Sequence, residues 1–200
     1  MIENVLILDT ETTGLFPDKG DSIIEIAAVL FNVKHKTVLQ CFSTLLPCVT
    51  NPVEKINHIS AESTQCEYPF VSKKFLSVEE VRDIWNNPFS DETILYDEMV
   101  SYNYILSQMA NSSQACIAHN AQFDRGFVKQ LECGEHLLSK KWICTKRNFT
   151  WPVSLTRFRL EDICNAMGVS YLNAHRAMTD CLLIAQCFEK VEDLQVRINR

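Results

Sequence analysis

Apolar positions along the chain fall into short runs and longer periodic segments. Val5-Leu6-Ile7-Leu8 is an unbroken apolar run, ended by the polar and glycine residues Asp9 to Gly14. It reads as a buried central strand. Ile23 to Val33 and Val38 to Leu46 give two further strand patterns, and the loop before the second strand carries the turn residues Gly14, Pro17, Asp18, Gly20 and Asp21. Residues 93–110 have a helical spacing of apolar side chains. Ala115 to Ala118 is a fourth strand, followed by a helix from about Gln122 to Leu131 that closes near Gly134. Trp142-Ile143-Cys144 is a fifth strand. Leu160 to Met167 is a helix stopped by Gly168, and residues 177–196 form a last helix. Three early strands followed by alternating helices and strands predict an α/β three-layer fold, and the short early loops make part of its sheet antiparallel. Residues 66–92 show no clear period and read as an inserted lobe or a mobile loop.

Composition changes this picture little. Hydrophobic residues make up 46% and charged residues 22% of the chain, which suits an ordinary globule. A chain of 200 residues is expected to form a single domain over 1–200, with the atypical insertion at about 66–92. The nine cysteines include no C-x-x-C pair, so reduced, buried thiols are expected. The first residues have no signal-peptide pattern, and no apolar run near them is long enough to span a bilayer. A cytoplasmic protein with no membrane partner is expected.

Charge is more informative. The net charge is −6, which at first sight argues against a nucleic-acid binder. Yet the segment 136–160 carries six basic and no acidic residues, so the rest of the chain holds −12. Lys146, Arg147 and Arg157 stand there among Trp142, Phe149, Trp151 and Phe158. Basic residues interleaved with aromatics could form a single-strand platform. Equally, the aromatics could be core and the cations ordinary surface, with core the better reading for Trp142 and Phe158.

Three clusters carry candidate chemistry. Asp9 and Glu11 lie at the end of the first strand, and strand alternation points them the same way. Paired carboxylates leaving an apolar strand repel each other, and a hard divalent cation relieves this; an acidic solvated turn is the plain alternative. His119-Asn120-Ala121-Gln122-Phe123-Asp124 follows the fourth strand. Asp124 could bind a metal, or merely serve a helix end capped by Asn120. The third cluster runs from Asn173 to Asp180. His175 and Asp180 converge most easily if His175 sits in the loop and Asp180 in the opening turns of the helix. Otherwise His175 is an exposed loop residue and Asp180 an early helix acid. Arg176 is a further phosphate candidate, or pairs with a local acid. Together the clusters fall at strand exits and helix starts, where α/β sheets place their ligand crevices.

In these clusters the sequence resembles the DnaQ-like 3′–5′ exonuclease family, in the DEDDh subgroup named for four acidic residues and a histidine. The matching text is Leu8-Asp9-Thr10-Glu11-Thr12-Thr13-Gly14-Leu15, His119 to Asp124, and Ala174-His175-Arg176-Ala177-Met178-Thr179-Asp180, in the family's order. The resemblance implies a ribonuclease H-like fold, an α/β three-layer architecture with a five-stranded mixed sheet flanked by helices. It implies two Mg²⁺ or Mn²⁺ ions per active site, held by Asp9, Glu11, Asp124 and Asp180, with His175 as general base on a water. Thr12, Thr13, Gly14, Leu15, Ile56, Asn57, Asn120 and Phe123 would shape the terminal-nucleotide pocket. Two departures stand out: Asn57 occupies the family's usual histidine position in Ile56-Asn57-His58-Ile59-Ser60, and the 66–92 stretch is longer than usual. The expected substrate is single-stranded nucleic acid, with DNA favoured over RNA. The protein would act free-standing or beside a DNA polymerase or another subunit. RNA trimming and a non-cutting binding module are the alternatives.

Overall fold

A computed structural model describes residues 1–65, the backbone of 70–72, and residues 76–86, 101–172 and 175–200. In chain order its elements are β1 (Asn4–Thr12), β2 (Ile23–Asn32), β3 (Thr37–Leu45), α1 (Glu54–Asn57), β4 (Phe70–Ser72), α2 (Val78–Asn86), α3 (Tyr102–Asn111), β5 (Ala115–Ala118), α4 (Ala121–Phe127), α5 (Gly134–Leu138), β6 (Lys141–Cys144), α6 (Leu160–Ala166), α7 (Ala177–Glu189) and α8 (Leu194–Ile198).

The five expected strands form a mixed sheet with β1 at its centre. β2 and β3 extend it antiparallel on one side, and β5 and β6 extend it parallel on the other. The short β4 adds a sixth strand beside β3, so the order is β4-β3-β2-β1-β5-β6. Pairing of β1 with β5 covers only Val5 to Ile7, whereas pairing with β2 runs on to Thr12.

Side-chain alternation along β1 divides the core in two. Val5 and Ile7 join a cluster with Ala27, Val29 and Phe31 of β2 and with α2, α6 and α7. Leu6 and Leu8 join the opposite cluster, with residues of α3, α4 and α5. Each face of the sheet is thereby covered by helices, as its nearly continuous apolar strands require. Among the described residues no helix is long and apolar enough to cross a membrane. The eight described cysteines are buried.

Several sequence expectations need correction. Part of the supposedly aperiodic 66–92 stretch is β4 and α2. The α2 signal was present: Ser77 and Glu80 form a reciprocal capping box, with Ser77 N–H donating to Glu80 Oε2 at 2.7 Å and Glu80 N–H to Ser77 Oγ at 3.2 Å. Val78 and Val81 then bury on one face. The helix expected over 93–110 begins at Tyr102, where Ser101 accepts from Asn103 N–H; residues 93–100 lie outside the described set. The helix expected to close at Gly134 ends at Phe127, passes through a 3₁₀ turn and restarts. Gly134 is needed for close approach, because a Cβ there would collide with the Val128 carbonyl. The final helix breaks after Glu189 and resumes at Leu194, with Val191 and Leu194 staying in the same core cluster.

The aromatic platform is also overturned. Phe149 and Trp151 are buried and pack on Phe188 of α7, with ring centroids 5.2 and 5.7 Å away. Trp151 Nε1 donates to the Thr145 carbonyl at 2.8 Å, which satisfies the one polar atom of the ring. Phe158, expected in the core, is 39% exposed, and Trp142 is half-buried.

Candidate active site

The site is built where β1 outruns β5. Asp9 and Glu11 share the β1 face that looks toward α7, and Asp180 lies in the first turn of that helix. Carboxylate oxygens of Asp9, Glu11 and Asp180 come within 4.8 Å of one another. Residues far apart in sequence thus meet because α7 packs on β1 and β2.

Asp124 reaches the site from the other side. Thr10 points to the opposite face of β1, and both its N–H (3.2 Å) and its hydroxyl (2.9 Å) donate to Asp124 Oδ1. Asp124 is 2% exposed, at the start of α4. One carboxylate oxygen is therefore committed to Thr10, and Asp124 stands beside the three-carboxylate group rather than within it. Asn120 precedes α4 in a left-handed conformation and makes no side-chain cap bond, so its capping role does not occur. Phe123 is half-buried with its ring 4.9 Å from Phe127.

His175 sits in the loop just before α7, exposed and with a left-handed backbone (φ 68°). The loop-then-helix arrangement needed for His175 and Asp180 to converge is the one observed. Residues 173 and 174 lie outside the described set.

The turn after β1 forms one wall. Thr12 Oγ1 donates to the Gly14 carbonyl at 2.6 Å, and Thr13 N–H donates to the Ser22 carbonyl at 2.9 Å. A Cβ on Gly14 would collide with the Asp21 carboxylate, which accepts from Phe16 N–H at 2.8 Å. Leu15 and Phe16 project outward at 68% and 52% exposure. Ile56 is exposed on α1. Asn57 does not fit its expected role as a nucleotide contact. It is buried, its amide donates to the Thr12 carbonyl at 3.3 Å, and its Oδ1 accepts from Asn51 Nδ2 and Ile59 N–H. It braces the wall from behind.

Arg176 also changes role. Its guanidinium pairs with Glu25 of β2, so it is not free for a phosphate, and that partner is distant in sequence rather than local. Lys146, Arg147 and Arg157 remain exposed in the segment after β6. Lys146 and Arg147, with Val153, Leu155 and Phe158, line a cleft of about 420 Å³.

The electrostatics are those of a crowded acid cluster. Burial first, then Asp124, Asp180, Glu11 and Glu25, holds the Asp9 carboxyl well above its usual range. Burial, Asp180 and Glu25 push Glu11 from 4.5 to about 8, against a lowering effect from Arg176. Burial also raises Asp124 and Asp180; hydrogen bonds from Thr10 oppose the first shift and one from the His175 backbone opposes the second. Asp180 Oδ1 is buried and has no hydrogen-bond partner among the described residues. Such a carboxylate oxygen beside two more hard oxygen donors fits a divalent cation such as Mg²⁺ or Mn²⁺.

These shifts bear on stability. Carboxyls raised in the folded state bind more protons there than in the unfolded chain, so stability falls as pH rises between the two values. For Glu11 that window runs from 4.5 to about 8. The lowered carboxyls of Glu80, Asp162 and Asp193 act the other way, but they lie at the surface and count for less. The metal-free protein is expected to melt at a lower temperature near pH 8 than near pH 5, and Mn²⁺ to remove most of that loss. Thermal melts in chelator across this range check it; a flat profile would contradict the cluster as described.

The "Exonuclease" family model RNase T matches residues 6–83. A PolC-type DNA polymerase III of Clostridium perfringens is 27% identical over 188 residues, covering 92% of this chain and 11% of the polymerase. The 3′–5′ exonuclease DinG of Staphylococcus aureus is 25% identical over 198 residues, covering 94% of this chain and 18% of that protein. The chain is thus similar to exonucleases, by the family model over residues 6–83 and by these relatives over most of its length. The chain spans less than a fifth of the length of those curated relatives. Its fold matches E. coli Exonuclease I in complex with a dT13 oligonucleotide (TM-score 0.60, 16% identity, 98% of this chain and 42% of that one). It also matches the nuclease domain of 3′hExo, a DEDDh family member, bound to rAMP (TM-score 0.56, 16% identity, 93% of this chain and 90% of that one). The chain thus shares the ribonuclease H-like fold of these structures.

The sequence reading missed Glu25, Thr10 and Trp85. Glu25 could have been found by alternation: it shares its face of β2 with Ala27 and Val29, and a carboxylate among buried residues needs a partner.

Proposed function

We propose that the protein is a metal-dependent 3′–5′ exonuclease. It hydrolyses phosphodiester bonds from the 3′ end of single-stranded DNA and releases nucleoside 5′-monophosphates. The observation that carries this is the meeting of Asp9, Glu11 and Asp180, with a buried Asp180 oxygen that has no hydrogen-bond partner among the described residues; His175 is exposed in the loop just before the helix that bears Asp180. Mg²⁺ or Mn²⁺ held there would neutralise the phosphodiester charge and stabilise the attacking and leaving oxygens. Asp9, Glu11 and Asp180 are the ligands, and Asp124, anchored by Thr10, supports a second ion directly or through water. His175 takes the proton of the attacking water at its imidazole. Thr12, Thr13 and Gly14 present backbone to the terminal nucleotide, with Leu15, Ile56, Asn120 and Phe123 at its base. A relative named as a DNA polymerase supports DNA over RNA and a polymerase as partner; a cytoplasmic setting suits the buried thiols.

The deciding assay gives 3′-labelled and 5′-labelled single strands to the protein with Mn²⁺. Immediate release of labelled mononucleotide from the 3′ label alone is expected. Release from the 5′ label first would reverse the polarity, and faster turnover of a matched RNA strand would replace the substrate.

The exposed cations after β6 give the strand a path. With Phe149 and Trp151 in the core, binding there is mainly to phosphates. Lys146→Glu with Arg147→Glu is expected to raise KM on a long single strand. It should also flatten the salt dependence of binding by about 0.7 in log–log slope for each phosphate no longer neutralised. An unchanged slope would place the strand elsewhere.

A further inference from the structure

Glu25 and Arg176 form an ion pair across 151 positions of sequence. Arg176 Nη2 lies 2.7 Å from Glu25 Oε1, and Nε lies 3.1 Å from both carboxylate oxygens. Glu25 Oε2 also accepts from Ala177 N–H at 2.9 Å, and Glu25 is 1% exposed.

We infer that Glu25 and Arg176, covered by Trp85, are positioning residues that lock the first turn of α7 onto β2. They thereby fix Asp180 and His175 opposite Asp9 and Glu11. The inference rests on the active-site reading above.

The N-terminus of α7 lacks a side-chain cap of its own: Arg176 holds the cap position in extended conformation and makes no cap bond. Its first N–H groups need an acceptor, and a carboxylate there also suits the helix dipole. Glu25 supplies both from a neighbouring strand. The clamp lies between the two groups it positions. His175 immediately precedes Arg176, and Asp180 N–H donates to the Arg176 carbonyl at 3.0 Å. Glu25 stands across from Glu11 in the β1–β2 ladder, so α7 is tied to the strand pair that carries the ligands.

Charge explains why the pair must be complete. Glu25 adds a fifth carboxylate to Asp9, Glu11, Asp124 and Asp180, and its influence reaches Asp9, Glu11 and Asp180. Arg176 balances it. Both Glu25 oxygens are occupied by the guanidinium and the helix N–H, which leaves Glu25 outside the ligand set. The planar fork needed for this pairing is specific to arginine.

Trp85 brings the inserted segment into the device. Arg176 Cζ lies 5.7 Å from the Trp85 ring centroid, within cation–π range. Helix α2 is thereby a brace for the clamp, which gives Val78–Asn86 a task at the site.

The test measures Mn²⁺ affinity by calorimetry, and kcat and KM on a short oligonucleotide, for wild type, E25Q, R176K and W85A. All are compared well below their melting temperatures. E25Q and R176K are expected to lose roughly 10- to 100-fold in Mn²⁺ affinity and in kcat. KM should shift by no more than about twofold, since the groups that touch substrate remain. W85A should lose about two- to fivefold, the equivalent of an exposed cation–π interaction. R176K and W85A keep the result decisive if E25Q does not fold. Variants that melt lower but keep wild-type Mn²⁺ affinity and kcat overturn the clamp and leave the active-site reading standing. A wild-type protein that binds no Mn²⁺ overturns that reading, and the clamp with it.

Discussion

Asp9→Asn is expected to cut turnover sharply and to raise the melting temperature of the metal-free protein. The two effects have one cause. Asp9 lies between Asp124, Asp180 and Glu11, with burial and each of those charges opposing its ionisation. Asparagine keeps the shape and removes the charge, so in chelator the like-charge crowding falls. For a chain of this length each kcal/mol recovered raises the melting temperature by about 2–4 °C. The same change removes a charged oxygen from a ligand group whose members lie within 4.8 Å. A loss of at least about a hundredfold to a thousandfold in kcat is expected, the scale seen when one charge-stabilising group is removed from an active site. Melts in chelator and in Mn²⁺, beside single-turnover cleavage, check both halves. Wild type should gain stability from Mn²⁺ and the variant little. A variant that melts lower than wild type in chelator would show that Asp9 is not electrostatically strained.

His175→Asn is expected to lower kcat by about 10²–10⁴, the range of a general base, while leaving Mn²⁺ binding near wild type. Asparagine is the better replacement than alanine because the backbone at this position is left-handed, a conformation asparagine tolerates. The His175 imidazole is exposed, and only the backbone of this residue touches Asp180. Removing the ring should therefore leave the ligand group in place. Calorimetry with Mn²⁺ and single-turnover cleavage separate the roles: the variant should bind Mn²⁺ as wild type does and cleave more slowly. Unchanged kcat would move the base to another group.

Which parts of the site were readable in sequence depended on whether local rules controlled them. Asp9 and Glu11 followed from alternation in a strand. His175 and Asp180 followed from the turn angle of a helix. Asp124 was singled out by the resemblance, but its approach from the opposite face through Thr10 was not legible, since that depends on which helix covers which side of the sheet. Glu25 was overlooked because its partner lies 151 residues away. Arg176 was for the same reason assigned to phosphate. The capping box at Ser77 and Glu80 was legible, but the acidic, proline-flanked surroundings obscured it. The aromatics of 142–158 misled because composition gives no direction: Phe149 and Trp151 turn inward to Phe188, while Phe158 turns outward.

The early end of β5 has a mechanical consequence. Beyond Ile7, β2 is the only described strand paired with β1, and on the other side Asp124 takes the Thr10 N–H. Asp9 and Glu11 therefore ride on a two-stranded overhang, and such ribbons twist more freely than a sheet interior. The gap facing Asp180 is set by the pitch of that overhang as well as by side-chain rotamers. A packing change at the Thr10–Ile26 pair, which belongs to neither the ligand group nor the clamp, would reach the carboxylates as a rotation of the ribbon. The strand that carries Asp9 and Glu11 is thus also the one whose far end has a strand neighbour on one side alone among the described residues.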